Sequence, residues 1–289
     1  MRLTSPERWV RFGDPSLSEV INPIRYEDPE WDTQHRDLEG YSVDKHVFRH
    51  TGGEVYRKGW EWTQCIFGLQ KLGMIRPDAK ALGVGAGHEP VIFWLADRIG
   101  LVTATDLYGN ETWSQTHGAE AAADLLTNPE QYCPRGIAKS KIIFKNADGT
   151  KLPFPNEAFD FCWSLSSIEH FGGHEAAATA MQEMARVTKP GGVICVATEL
   201  LLSEEHSHPE FFTRRQLCRY IINSADSLRL VDGMRWQLPS EQYLNDPIVL
   251  PKDLHRLRRH VVLSDGTCQW TSVIVFLRKS TKRPRRWAS

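Results

Sequence analysis

No stretch of the chain approaches the roughly 18 to 20 consecutive apolar residues that a membrane-crossing helix needs. The amino terminus, Met1-Arg-Leu-Thr-Ser-Pro-Glu-Arg8, lacks the apolar centre of a secretory signal. No membrane span is expected, and the chain reads as cytoplasmic. Cysteines are few, at positions 65, 133, 162, 195, 218 and 268, and none forms a CxxC pair. That spacing leaves out zinc knuckles and thioredoxin-like motifs. Cys162 and Cys195 fall in apolar runs that read as buried strands, where a reduced thiol packs as a small hydrophobe. An excess of one charge is missing as well: 35 Lys and Arg against 36 Asp and Glu leave a net −1. Nothing global therefore points to nucleic acid or a membrane surface as a partner.

The residues that are present suit a globular α/β chain. With 41% hydrophobic side chains over 289 residues, one large core with additions, or two small domains, can be filled. Residues 1–59 are rich in Pro, Asp, His, Trp and Tyr with little periodicity, and read as an N-terminal cap that covers a substrate. Residues 60–73 put Trp60, Ile66, Leu69 and Leu72 on a helical stripe that Gly73 and Pro77 can end. Beyond 79, apolar runs alternate with helical segments. Strands are expected at 79–84, 101–106, 141–145, 159–164, 192–198, 228–231 and 271–277. Helices are expected at 88–99, 112–126, 174–188 and after Thr213. This alternation predicts a Rossmann-like, doubly wound, mostly parallel seven-stranded sheet with helices on both faces. The main domain would span 60–279, with 200–268 supplying substrate and lid insertions and 280–289 a basic, solvated tail.

The first strand ends in Gly83-Val84-Gly85-Ala86-Gly87 and leads into a helix. Glycines there let backbone approach a ligand, and the helix start offers free N–H groups. A dinucleotide fingerprint would need glycine at 88, which is His88, so a nicotinamide oxidoreductase is disfavoured. Asp106 ends the second strand, where a carboxylate can accept hydrogen bonds from both hydroxyls of a ribose. Asp148, in Asn146-Ala-Asp-Gly149, follows the third strand, and its carboxylate can take an adenine amino group or simply close an Asp-Gly turn. Leu152-Pro-Phe-Pro-Asn-Glu-Ala-Phe159-Asp160 feeds the fourth strand. Glu183-Met-Ala-Arg186-Val-Thr-Lys-Pro-Gly-Gly192 joins a helix to the fifth.

This ordered series, over roughly residues 60–200, resembles the class I S-adenosylmethionine (SAM)-dependent methyltransferases of the small-molecule type, with a methyltransferase type 11-like domain. The resemblance implies that SAM is the cofactor and that Gly83, Val84, Gly85 and Gly87 line its methionine part. It implies that Asp106 holds the ribose, Leu107 touches the base, Asp148 meets the adenine amino group and Ser164 lies near the transferring methyl. The family usually carries an acid two residues before the first glycine. Here that residue is Ala81, and Glu89 is the candidate substitute.

The chemistry then needs an acceptor in line with the methyl–sulfur bond and, for an alcohol, a base. His170 and Glu169, in Ser164-Leu-Ser-Ser-Ile-Glu-His170, are the candidate catalytic residues. Trp60, Glu199, His206 and His208 are candidate substrate contacts. Glu204, Glu205, His206 and His208 lack a full metal-ligand set, so no metal is expected. The expected partner is a small-molecule acceptor, with hydroxyl methylation of a sugar or secondary metabolite first and N- or C-methylation the alternatives. A non-catalytic SAM-fold subunit is the reading from another class, and a homodimer is one assembly the sequence allows. No base-methylating Asn-Pro-Pro-Tyr-type signature is present, so no nucleic acid is expected.

Overall fold

The computed structural model describes residues 16–49, 54–109, 121–253 and 259–281. Its centre is an 11-stranded sheet. The strands β2 (Lys80–Val84), β3 (Leu101–Asp106), β4 (Ile142–Asn146), β5 (Phe159–Leu165) and β6 (Thr188–Leu201) run parallel; β2, β3, β5 and β6 are largely buried on both faces, whereas β4 lies at the edge with Ile143 exposed. Their order is β4-β3-β2-β5-β6, followed by β11 (Gln269–Lys279), which runs antiparallel to β6. The order reverses between β2 and β5, and in open α/β sheets such a reversal opens a crevice at the carboxyl ends of the strands.

All seven expected strands are present. Four short ones add to them: β1 (Ser18–Val20), β8 (Met234–Arg235), β9 (Ile248–Val249) and β10 (Val262–Ser264). Strand β1 pairs with β11 at Val20↔Val273, β7 (Leu228–Leu230) pairs farther along the same edge, and β10 pairs at its start. The described part of the N-terminal segment therefore enters the sheet. It also forms α1 (Pro29–Glu39), capped by Asp28, whose side chain accepts from the Glu30 and Trp31 amides. Helix α1 packs on α2 (Arg57–Lys71), where Trp31 Nε1 donates to Gln64 Oε1 at 2.8 Å.

Helix α3 (Pro90–Ala96) is buried along its length. Helix α4 (His174–Val187) packs beside β6 and against Cys218–Ile222, the wider turn that continues the helical stretch α5 (Arg214–Leu217). A short α6 (Glu241–Leu244) follows. Of the helix expected at 112–126, residues 112–120 lie outside the described residues, as does most of the basic tail; 123–126 form a single tight turn. Arg186 shows why two of the sequence signatures belong together. From α4 its guanidinium donates to the carbonyls of Leu152 at 2.9 Å and Phe154 at 2.7 Å, fixing the chain that enters β5. No helix among the described residues is long and apolar enough to cross a membrane.

Candidate functional site

The glycine loop is fastened from both neighbouring strands. From β3, Thr105 Oγ1 donates to the Gly83 carbonyl at 2.7 Å, and the Ala86 amide donates to the Thr105 carbonyl at 3.0 Å. The Gly87 amide donates to Asp106 Oδ2 at 2.9 Å, while Tyr108 donates its hydroxyl to the Gly87 carbonyl at 3.0 Å. From the turn after β5, Ser167 Oγ donates to the Gly85 carbonyl at 2.7 Å. Two glycines are required by space. A Cβ on Gly83 would stand 2.5 Å from the Trp163 ring, and one on Gly85, whose φ is +64°, would stand 2.7 Å from Ser167 Cβ.

A cavity of about 190 Å³ opens at the carboxyl ends of β2 to β5. Gly85, Asp106, Leu107 and Asp148 line it, four of the residues the sequence singles out for the cofactor. Ala147, Gly149, Thr150, Ser167 and Phe171 complete it together with His170. Both Asp106 oxygens take backbone amides, Oδ2 from Gly87 and Oδ1 from Leu107 at 2.7 Å, which fixes the carboxylate at the cavity wall. Asp148 Oδ1 accepts from the Thr150 amide and hydroxyl at 2.8 and 2.7 Å, so the Asp-Gly turn and a place on the cavity wall coexist. The residues fit the nucleoside and amino-acid parts of SAM: a close-approach glycine turn, a strand-end carboxylate, and a second acid on the facing loop.

Ser164 is placed elsewhere. Strand β5 runs on to Leu165, and Ser164 is buried inside the sheet with its hydroxyl unpartnered and away from the cavity. The backbone turns at Ser166, at φ +49°, and presents Ser167 in its stead. Glu89 is buried at the start of α3, its Oε2 accepting from Trp163 Nε1 at 3.0 Å behind the glycine loop.

His170 and Glu169 face different ways. His170 lines the cavity, and its Nδ1 stands 3.3 Å from Glu210 Oε2. Glu169 is fully buried on the other side of the turn, where Thr198 Oγ1 donates to its Oε2 at 2.9 Å. Glu210 comes from the loop after β6, and its role shows only once the fold brings it to His170. His206 in that loop is exposed. The His208 ring stacks on Phe211 and its Nδ1 accepts the amides of Glu210 and Phe211, so it shapes the loop without reaching the cavity. Burial lowers the His208 pKa, in keeping with an accepting, neutral ring.

Behind the cavity wall lies a buried polar nest that spacing alone could not reveal. Glu61 of α2 accepts from Ser166 Oγ at 2.7 Å, from Ser272 of β11 and from Arg57 Nη1 at 3.2 Å. Arg57 Nη1 also donates to Glu199, near the carboxyl end of β6. Burial pushes the carboxyls of Glu169 and Glu199 up to about 7, each raised further by neighbouring glutamates. Burial also works against the charge of Glu61, but Lys58 and Arg57 hold its carboxyl below the ordinary range. Trp60, the remaining candidate contact, is fully buried in α2.

Residues 82–196 match the family model described as a methyltransferase domain. The chain is 27% identical over 188 residues to demethylmenaquinone methyltransferase of Geobacillus stearothermophilus, covering 63% of this chain and 67% of that one. It is 32% identical over 129 residues to 27-O-demethylrifamycin SV methyltransferase of Amycolatopsis mediterranei, covering 44% of this chain and 41% of the relative. Among solved structures, the [4+2]-cyclase SpnF has the same fold, at a TM-score of 0.51 and 16% identity over 94% of this chain and 100% of that one.

Proposed function

Since this chain is a class I SAM-dependent methyltransferase of the small-molecule type, we propose that it methylates a hydroxyl oxygen of a cytoplasmic small molecule and that His170 receives the proton. The observation that carries this reading is the His170–Glu210 pair: an imidazole on the cavity wall with a carboxylate 3.3 Å from its Nδ1. A carboxylate so placed stabilises the imidazolium that forms when the proton arrives.

SAM, when bound, supplies a methyl on a sulfonium, so the leaving group is already good. The chain's own work is to hold and orient. Gly83, Val84, Gly85 and Gly87 would carry the methionine part, Asp106 the ribose, Leu107 the base and Asp148 the adenine amino group. The acceptor oxygen would take the methyl as the methyl–sulfur bond breaks and the cofactor leaves as a neutral thioether, and its proton would pass to His170. One relative is named for an O-demethylated substrate, which fits this choice; another is named for demethylmenaquinone, which makes the site of methylation the point to test.

The test uses SAM labelled with carbon-13 on the methyl and a panel of hydroxylated small molecules, with products read by NMR. Oxygen-bound and carbon-bound methyls resonate in separate regions. An oxygen-bound methyl whose formation drops in His170→Ala is expected. A carbon-bound product, or full turnover in that variant, overturns the reading.

A further inference from the structure

The nest between α2, β5 and β6 contains polar atoms that the fold does not satisfy. Glu169 Oε1 and Glu199 Oε2 are buried without a hydrogen-bond partner, on residues 0% and 3% exposed. Arg57 Nε is likewise buried and unpartnered, on the guanidinium whose Nη1 meets Glu61 and Glu199. Buried polar groups in folded proteins are nearly always paired, and two acceptors and a donor left open in one place mark where a polar ligand or ordered water belongs. The nest adjoins the cavity through the chain itself: Ser166 donates to Glu61 and Ser167 lines the cavity, while Glu169 faces the nest and His170 the cavity.

We propose that this nest is the acceptor subsite, and that it takes a neutral acceptor through two neighbouring hydroxyl groups that hydrogen-bond to Glu169 Oε1 and Glu199 Oε2, donating to an ionised oxygen and accepting from a protonated one. The proposal rests on the methyl-transfer reading above and names its substrate class. Charge balance selects a neutral ligand. Burial favours the protonated forms of Glu169 and Glu199, and the negative charge that remains, with that of Glu61, faces Arg57 and Lys58. His260, stacked on Tyr56 at 4.0 Å, stays neutral because burial pushes its pKa down to about 3. An anionic acceptor would meet unshielded carboxylate oxygens, and an ammonium could not accept from Arg57 Nε. A hydroxyl both donates and accepts, so a vicinal diol satisfies all three open atoms.

The experiment measures binding, not turnover, in protein saturated with S-adenosylhomocysteine. The probes are methyl α-D-glucopyranoside, its 2,3-dideoxy analogue and glucuronate, followed by saturation-transfer NMR. The glucoside should bind, and the other two should bind at least about tenfold more weakly, the scale of one hydrogen bond to a charged group. Glu199→Gln and Glu169→Gln should each weaken glucoside binding about tenfold while S-adenosylhomocysteine affinity stays as in the parent. That unchanged affinity also certifies a folded variant; if either variant fails to fold, Glu199→Asp takes its place. Equal binding of the dideoxy probe, undiminished binding in the variants, or no glucoside binding to cofactor-loaded protein each overturns the subsite. Failure to bind S-adenosylhomocysteine at all would instead undo the methyl-transfer reading.

Discussion

The Gly87 amide donates to Asp106 Oδ2 at 2.9 Å, so the residue expected to hold a ribose also sets the shape of the loop expected to hold the rest of the cofactor. Asp106→Ala removes both functions together. S-adenosylhomocysteine affinity should fall by about 10- to 100-fold, as expected for loss of charge-assisted hydrogen bonds. Asp106→Asn keeps one acceptor oxygen and should lose less. Titration calorimetry on the three proteins checks the order; equal affinities would remove Asp106 from the cofactor site.

Gly85 sits at φ +64° with Ser167 Cβ 2.7 Å from where its own Cβ would be. Gly85→Ala should strain the turn and push Ser167 out of its bond to the Gly85 carbonyl. A stability loss of about 1–3 kcal/mol is expected, with cofactor affinity reduced as well. Gly73, also at positive φ but with open space around it, is the control. Gly73→Ala should carry only the backbone cost and leave affinity alone. Thermal melts with and without S-adenosylhomocysteine separate the two effects.

The glycine loop, Asp106 and Asp148 are legible in the sequence because strand ends and tight turns are local features. The positions of Asp28 and Pro29 also announce α1 locally, yet the surrounding lack of period hides it. Strands of two or three residues such as β8 and β1 are too short to show alternation. They exist because β11 offers an open edge to β1, and β1 in turn offers one to β8. Lys189-Pro190-Gly191-Gly192 reads as a turn, whereas it lies within β6 as an irregularity in its pairing with β5, with Gly191 at φ +82°. Ser164 and Ser167 are told apart only by the turn at Ser166. Glu210 beside His170 and Ser272 beside Glu61 are partnerships 40 and 211 residues apart in sequence, and no spacing rule reaches that far.

The His170–Glu210 pair makes a graded kinetic prediction. His170→Ala should lower kcat by about 100-fold or more, the usual contribution of a positioned base, with cofactor affinity unchanged. Glu210→Gln leaves the imidazole in place but withdraws the opposing charge, so kcat should fall less, by about tenfold. If the two variants are equally active with the parent, the pair only anchors the loop after β6.

Glu169 makes stability depend on pH in a direction opposite to most carboxylates. Burial raises its folded-state value to about 7, against an ordinary 4.5. The folded chain therefore holds this proton more tightly than the unfolded chain. The resulting stabilisation is fully present below about 4.5 and is lost as pH rises towards 7. His260, pushed down to about 3 by burial, works the other way: its contribution is present above its ordinary 6.5 and is lost as pH falls. The parent's profile mixes the two, so the difference between variant and parent isolates Glu169. Glu169→Gln keeps an acceptor for Thr198 but cannot ionise. Its melting temperature should gain on the parent's between pH 5 and 8 and hold a constant offset above that. Parallel curves across this window would mean that Glu169 ionises in the folded chain as readily as in water, and that the nest is wetter than its burial indicates.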